Sequence, residues 1–118
     1  MSTPRTLDRT LNALADPTRR AILRRLSSGE RRVTEVAAPF AMSLNAVSKH
    51  ILVLERAKLV KRRKVGRDHY LSYRPEPLDV AAKWIAETRN FWATRLDALE
   101  QLLREEDAAN RYPMNQHQ

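Results

Sequence analysis

The most regular pattern of apolar and polar positions in the chain lies between residues 43 and 60. Leu44, Val47, Ile51 and Leu54 recur at steps of three, four and three residues, which places them in one stripe along a helix. Ser43 precedes them and is a suitable N-cap, because its hydroxyl can accept a hydrogen bond from a free amide of the first turn. The first two turns also carry polar side chains, those of Asn45, Ser48, Lys49 and His50. The pattern predicts a helix with one buried stripe and exposed polar groups on its N-terminal half.

Two interpretations of this helix fit the pattern about equally well. A helix that offers small donors and a cation suits the major groove of DNA, which admits a helix and displays acceptors on guanine and adenine. An ordinary amphipathic surface helix with a solvated polar face would have the same pattern. The residues on either side of the helix are needed to choose between them.

Three helices are predicted before this one. Leu7, Leu11 and Leu14 form a narrow stripe on the first, and Asp16 and Pro17 provide an N-cap and a first helical residue for the second. A brief third helix, capped by Thr34 and preceded by a short extended piece at Val33, ends before Pro39. Two short helices joined by a tight turn, the second with polar donors at its start, are typical of a helix-turn-helix.

A basic β-hairpin is predicted directly after the main helix. Residues 59–65 and 69–74 are rich in β-formers, and Gly66 lies in the turn of residues 66–68 between them. Its cations favour a wing that contacts DNA phosphates: Arg62, Arg63, Lys64 and Arg67. The alternative is a solvated edge strand, since lysine often protects strand edges from aggregation.

A long last helix is predicted over residues 78–106, which contain no proline or glycine. It carries two apolar stripes, one through Trp84, Phe91, Ala98 and Leu102 and the other through Ala81, Ile85, Trp92, Leu99 and Leu103. One stripe would suffice for packing on the rest of the chain, so the second requires another surface, most simply the same helix of a second copy. Residues 1–106 are expected to form one domain, and residues 107–118 a disordered tail.

Charge and composition favour the DNA interpretation. The net charge is +8 over 118 residues, which favours a polyanionic partner. The charges are also segregated: residues 49–74 hold nine Lys or Arg against two acids, whereas residues 76–107 hold eight acids against four bases. No cysteine is present, which excludes disulfides and thiolate metal sites. Without an apolar run long enough for a membrane span or a signal-peptide core, a cytoplasmic location is expected.

The order of elements and two short motifs resemble the ArsR/SmtB family of winged helix-turn-helix repressors. The motifs are Ala-Asp-Pro-Thr-Arg at residues 15–19 and Val-Ser-Lys-His-Ile at residues 47–51, with Gly66-Arg67 in the wing. The resemblance implies a mainly α fold with a small β-hairpin, in the order α-α-β-α-α-β-β-α. It also implies a homodimer held by the first and last helices, an inverted-repeat operator in double-stranded DNA, and release by an effector.

The resemblance also implies roles for particular residues. Bases would be read by Ser43, Asn45, Ala46, Ser48, Lys49 and His50. The wing would meet the DNA backbone around Arg62, Arg63, Lys64 and Arg67. The dimer contact would include Leu7, Leu11, Ile85, Trp92, Leu99 and Leu103.

The chain departs from the metal-sensing members of this family. It has no cysteine, and its histidines, His50, His69 and His117, are scattered over the main helix, the hairpin and the tail. We therefore expect no metal site and no cofactor, and the effector cannot be inferred. An enzyme is not expected, because nucleophile, phosphate-loop and metal-ligand motifs are all missing. The open alternatives are a winged-helix regulator of another family and a winged helix that binds protein or RNA.

Overall fold

The computed structural model describes the backbone of residues 3–116 and the side chains of residues 5–110. Within residues 3–116, five helices and three strands follow one another in the predicted order α-α-β-α-α-β-β-α. They are α1 (Thr3–Leu14), α2 (Pro17–Leu26), β1 (Arg31–Arg32), α3 (Val33–Ala37), α4 (Leu44–Arg56), β2 (Val60–Val65), β3 (Asp68–Tyr73) and α5 (Glu76–Gln116). The chain forms two compact units, Met1–Ala82 and Lys83–Gln118.

The first unit has one hydrophobic core between its helices and its sheet. Ile22 and Leu26 of α2, Ile51 and Leu54 of α4, and Leu71 of β3 are all fully or almost fully buried in it. These five side chains are all apolar, and apolar side chains can pack closely in the core of a small domain. The core fixes α4 between α2 and the sheet, so only one side of α4 is left for other contacts.

The sheet has three antiparallel strands in the order β1-β3-β2. β2 and β3 form the predicted hairpin, in which Val65 pairs with Asp68 across the turn at Gly66. Gly66 has a φ of +61°, a conformation that a residue without Cβ adopts readily in a hairpin turn. We call β2, β3 and this turn the wing.

The start of α3 differs from the prediction. Thr34 was predicted to be its N-cap and Val33 to be extended, but the helix begins at Val33 and the strand β1 is Arg31–Arg32. The Glu35 carboxylate accepts a hydrogen bond of 3.1 Å from the backbone N–H of Arg32. This bond satisfies a free amide at the helix start, so the helix begins one residue before Thr34.

The last helix is longer than predicted at both ends. α5 begins at Glu76, because Pro77 is tolerated in the first turn, and it continues past the predicted end at Glu106 to Gln116. No glycine lies between Glu76 and Gln116, and Ala108 and Ala109 favour helix beyond Glu106. The division into a domain over residues 1–106 and a disordered tail over residues 107–118 stays a prediction, and His117 and Gln118 lie outside the described residues.

Candidate nucleic-acid interface

The N-terminus of α4 is capped as the sequence predicts. The Ser43 hydroxyl accepts a hydrogen bond of 3.1 Å from the backbone N–H of Ala46. Val47, Ile51 and Leu54 are completely buried and hold one side of the helix in the core. The cap and the buried stripe together fix both the axial position and the rotation of α4.

Most of the predicted base-reading residues lie on the accessible side of α4. Ser43, Asn45 and Lys49 are exposed, and Ala46, Ser48 and His50 are half-buried. The structure therefore brings the six residues together within two turns of one helix, with the donors of Asn45 and Lys49 open to solvent. The prediction that they read bases is a separate matter and stays a prediction.

Leu44 is an error in the predicted stripe, since 52% of its surface is exposed. It is the first residue of α4. Because Cα–Cβ bonds in a helix tilt toward its N-terminus, the side chain of the first residue projects past the helix end rather than over a preceding turn. The buried stripe of α4 therefore begins at Val47.

His50 is held from the side of α2. Its Nδ1 lies 3.3 Å from Nη1 of Arg19 and 3.7 Å from the Oδ2 of Asp16. Arginine can only donate, so in the neutral ring Nδ1 accepts from Arg19 and Nε2 carries the proton. The neutral ring thus has one remaining donor, at Nε2.

The same arginine and aspartate connect α1 with α2. Arg19 donates from Nε to the carbonyl of Ala13 and from Nη2 to that of Asn12, both at 2.8 Å, near the C-terminus of α1. Asp16 caps α2 by accepting a hydrogen bond of 3.0 Å from the backbone N–H of Arg19. This bond is the main reason why the pKa of Asp16 is lowered despite the opposing effect of burial, and the charge of Arg19 acts in the same direction as the bond.

Two of the four predicted wing residues are engaged in ion pairs within the chain. Arg62 donates to Glu55 of α4, with 2.7 Å between Nη2 and Oε1 and 3.2 Å between Nε and Oε2. Arg63 donates from Nη2 to Glu30 Oε1 at 2.6 Å, and its guanidinium lies 5.0 Å from the ring centre of Tyr70. The hydrogen bond from Arg63 lowers the pKa of Glu30.

The other two wing residues, Lys64 and Arg67, are exposed at the end of the hairpin. Within residues 5–110, no carboxylate lies at ion-pair distance from either of them. Of the four predicted wing residues, these two can therefore contact a phosphate without first leaving a carboxylate of the described chain.

A further basic surface, which the sequence did not predict, lies at the other end of α4. It is an open groove of about 780 Å³. Its charged lining residues are Arg9, Glu55, Arg56, Lys58, Lys61, Arg62, Arg74 and Glu76. The basic run from Lys49 to Arg74 signals most of these cations, but no local pattern links them to Arg9 in α1.

The second unit consists of α5 from Lys83 onward, and its apolar side chains are open to solvent. Trp92 is 57% exposed and Leu99 52%, and Ile85 and Leu103 are exposed to a similar degree. Trp84, Phe91 and Leu102 of the other stripe are exposed as well. Both stripes of this segment are available for other contacts.

The two candidates for the dimer contact in α1 differ from each other. Leu11 is partly exposed, whereas Leu7 is only 8% exposed. Leu7 therefore has little surface left for a partner, and Leu11 is the better candidate of the two.

The described part of the chain shows neither a metal site nor a membrane-spanning helix. Over the described residues, nowhere do three or more His, Cys, Asp or Glu side chains come together in a way that could hold a metal ion. None of the helices in this part of the chain is long and apolar enough to span a bilayer.

Comparisons with known proteins agree with this fold. Residues 14–63 match the family model described as a helix-turn-helix domain. The HTH-type transcriptional regulator Rv2034 of Mycobacterium tuberculosis is 41% identical over 87% of this chain and 94% of its own length. The transcriptional repressor SmtB homolog of Synechocystis is 41% identical over 52% of this chain and 46% of its own length.

Solved structures extend the similarity to most of the chain. An ArsR-like transcriptional regulator from Rhodococcus superposes with a TM-score of 0.75 at 28% identity, covering 86% of this chain and 96% of the other. The homodimeric winged helix-turn-helix DNA-binding domain Mb0332 of Mycobacterium bovis, a possible ArsR-family regulator, has a TM-score of 0.57 at 31% identity, covering 77% and 82%. With its capped and half-exposed α4, its basic wing and these relatives, the chain belongs to the ArsR/SmtB family of winged helix-turn-helix transcriptional regulators, which are DNA-binding proteins and not enzymes.

Proposed function

We propose that this protein is a homodimeric repressor that binds an inverted-repeat operator in double-stranded DNA. The observation that carries the proposal is the placement of Asn45, Ser48 and Lys49 on the accessible side of α4, a helix whose opposite side is fixed in the core. Small donors and a cation on a rigid, capped helix are what direct readout in the major groove requires. The N-terminal half of α4 then reads bases.

Six residues of α4 are assigned to base readout: Ser43, Asn45, Ala46, Ser48, Lys49 and His50. Asn45 can donate to and accept from adenine, and Lys49 can donate to guanine O6 or N7. Ser43 uses an oxygen lone pair for the cap, so its hydroxyl proton is left to donate to a base or phosphate. His50 contributes the Nε2 proton that its contact with Arg19 leaves free.

The wing holds the protein on the DNA backbone in this proposal. Lys64 and Arg67 carry most of that role, because their charges are not neutralised by a nearby carboxylate of the described chain. Arg62 and Arg63 would first have to leave Glu55 and Glu30. The loss of these ion pairs offsets much of the favourable free energy of a new contact with phosphate. Arg62 serves mainly to attach the wing to α4.

The dimer is proposed from the exposed apolar side chains of α5, above all Trp92 and Leu99. Contiguous exposed apolar surface of this kind marks a contact with another protein surface. The Mycobacterium bovis domain is described as homodimeric, which supports the same assembly here. A twofold dimer presents two copies of α4, so its operator contains the same half-site twice in inverted orientation.

Repression rather than activation is proposed because the Synechocystis relative is named a transcriptional repressor. A dimer that covers promoter DNA can block transcription by occupying that DNA.

Selection of fragments from the organism's own genome by the purified protein tests the proposal. We expect enriched duplexes to share an inverted repeat, and binding to weaken steeply as salt rises, since phosphate contacts release counterions. Single-stranded DNA and RNA of the same sequence serve as controls and should bind more weakly. Equal binding to RNA, or binding without sequence preference, would favour the alternative interaction modules.

A further inference from the structure

Leu44 is an apolar residue in the middle of the polar surface proposed to read bases. It lies between Ser43 and Asn45, which are both exposed, and 52% of its own surface is exposed. Residues four apart lie above one another on a helix, so Leu44 shares a row with Ser48. Leu44 is therefore a neighbour of both Asn45 and Ser48 on the exposed part of the helix.

The chemistry of Leu44 restricts what it can recognise. Its side chain neither donates nor accepts hydrogen bonds, so it cannot read the polar edges of guanine, adenine or cytosine. The apolar group displayed in the major groove is the methyl group on C5 of thymine. Burial of this methyl group against leucine removes apolar surface of both partners from water, which is favourable.

We propose that Leu44 is a specificity-determining residue that recognises the C5 methyl group of a pyrimidine in each half-site. This inference rests on the proposed function, because it requires α4 to lie in the major groove. Thymine is the source of the methyl group in unmodified DNA, and 5-methylcytosine carries the same group at the same position. Each half-site then contains one methyl-bearing position beside the bases read by Asn45 and Ser48.

Replacing single thymines of the selected operator by deoxyuridine tests the inference, since this change removes only the methyl group. With the wild-type protein, the thymine-to-deoxyuridine change at one position of each half-site should lower the affinity for the operator about fourfold. This factor corresponds to about 0.8 kcal/mol for one buried carbon, since about 1.4 kcal/mol changes the affinity tenfold. Leu44→Ala should weaken binding to the thymine operator by at least the same factor. The variant should no longer distinguish thymine from deoxyuridine at that position.

A matched control is available on the same helix. Leu52 follows Ser48 by four residues and Leu44 by eight, so it lies on the same side of α4 about two turns further along, and it is 43% exposed. Leu52→Ala removes the same group from the more distant half of α4, so it should retain the discrimination between thymine and deoxyuridine. Thermal melting followed by circular dichroism checks that both variants are folded. Because both leucines are partly exposed, neither substitution should lower the stability strongly.

A second arm identifies the source of the methyl group. The selection from genomic fragments is run with amplified DNA, which is unmethylated. If thymine is the source, the protein binds this DNA with full affinity, and replacement of one thymine by deoxyuridine weakens the binding. If 5-methylcytosine is the source, only enzymatically methylated fragments bind with full affinity, and Leu44→Ala removes that preference. Either result supports recognition of a C5 methyl group by Leu44.

The outcomes that overturn the inference differ from those that overturn the proposed function. Sequence-specific binding of duplex DNA without a methyl effect at any position overturns the role of Leu44 and leaves the proposed function standing. A methyl effect that persists in Leu44→Ala also overturns it, because another residue then contacts the methyl group. Absence of sequence-specific duplex binding overturns the proposed function, and the role of Leu44 with it.

Discussion

Asp16 at the start of α2 lies 3.7 Å from His50 in α4, measured from the carboxylate Oδ2 to the imidazole Nδ1. Arg19 joins the two, since its backbone N–H donates to Asp16 and its Nη1 lies 3.3 Å from the same Nδ1. Arg19 and His50 are 31 residues apart and belong to the two motifs that carry the family resemblance. The first motif therefore both caps α2 and contacts the helix that is proposed to read DNA.

Replacement of Asp16 by alanine should destabilise the first unit by about 1 kcal/mol at neutral pH, the usual cost of a lost N-cap. The pKa of Asp16 is lowered in the folded protein, so its ionised form is stabilised by folding. This contribution is present above the aspartate pKa of the unfolded chain, about 4, and is lost as the pH falls through the folded-state pKa. Urea unfolding at several pH values measures both effects.

Asp16→Asn is the matched control for the charge. Asparagine caps helices about as well as aspartate but does not titrate. The stability difference between wild type and Asp16→Asn should therefore shrink toward acid pH, whereas that between Asp16→Asn and Asp16→Ala should persist. A difference between wild type and Asp16→Asn that does not change with pH would contradict the lowered pKa of Asp16.

The sequence predicted those features of the fold that local chemistry determines. Ser43 and Asp16 cap their helices because a short oxygen-bearing side chain precedes a helical stretch, and Gly66 fits the hairpin turn. The prediction failed at Leu44, where the spacing is correct but the buried stripe begins only one turn later, at Val47. Apolar periodicity identifies one side of a helix, and it does not show how far along the helix the core extends.

The charge pattern likewise predicted a basic wing, but it did not predict which acids would pair with the cations of the wing. Glu30 lies 33 residues before Arg63, and Glu55 lies 7 residues before Arg62. Only the folded chain brings these acids against the arginines. Four wing residues with equivalent sequence signals thus separate into two that are paired and two, Lys64 and Arg67, that are exposed with no carboxylate of residues 5–110 at ion-pair distance.

Base reading and backbone binding should separate in mutants. Asn45→Ala and Lys49→Ala should each weaken binding to the operator by ~1–3 kcal/mol, with much less effect on random duplex. Lys64→Ala and Arg67→Ala should weaken both about equally and reduce the salt slope by about one unit per lost phosphate contact. Fluorescence anisotropy titrations at several salt concentrations measure both quantities.

Arg63→Ala is a useful comparison for these wing variants. Because Arg63 is paired with Glu30, its removal leaves an acid near the wing and loses a cation that was largely neutralised. Its effect on the salt slope should be smaller than that of Lys64→Ala. The assignment of α4 to base reading is wrong if the Asn45 and Lys49 variants lose affinity for operator and random duplex to the same extent.

Trp92 and Leu99 together should be essential for the dimer. Replacing both with glutamate would place unpaired charges in the proposed contact, at a cost of several kcal/mol. Both side chains are exposed in the single chain, so the fold of one protomer should be retained. Sedimentation velocity at micromolar concentration should show a dimer for the wild type and a monomer for the double variant.

Asn90→Glu combined with Gln101→Glu provides the control for added charge. These positions lie two residues before Trp92 and two after Leu99, which places them on the other side of the helix. The control should remain dimeric. A wild type that sediments as a monomer would rule out the proposed assembly.

Divalent metals should not regulate DNA binding. The chain lacks thiolates, and carboxylates without sulfur or imidazole bind zinc poorly. Of the histidines, His50 is engaged with Arg19 and Asp16. Zinc, nickel or cobalt at low micromolar concentration should therefore leave operator affinity unchanged at fixed ionic strength. A loss of affinity that a chelator reverses, and that His→Ala variants lack, would reveal a metal site.

Lys58 should limit the stability of the first unit, because it has a φ of +63° at the C-terminus of α4. The Leu59 N–H donates to the Leu54 carbonyl and the Lys58 N–H to that of Glu55, both at 3.0 Å, so the chain leaves the helix through a left-handed residue. A residue with a Cβ pays about 1–2 kcal/mol for this conformation, whereas glycine adopts it freely. Replacing Lys58 by glycine would remove this cost, but glycine also has greater conformational freedom in the unfolded chain, which offsets part of the stabilisation. Lys58→Gly should therefore stabilise the protein by about 1 kcal/mol.

Lys58→Ala separates this backbone effect from the effect of charge. Lys58 lies in the basic groove with Arg56 and Lys61, so removal of its charge alone relieves some repulsion. Alanine and glycine remove the charge equally, but only glycine removes the Cβ. Urea unfolding should therefore show Lys58→Gly to be more stable than Lys58→Ala by about 1 kcal/mol. Equal stability of the two variants would mean that the left-handed conformation costs lysine nothing at this helix end, and that charge alone accounts for any gain.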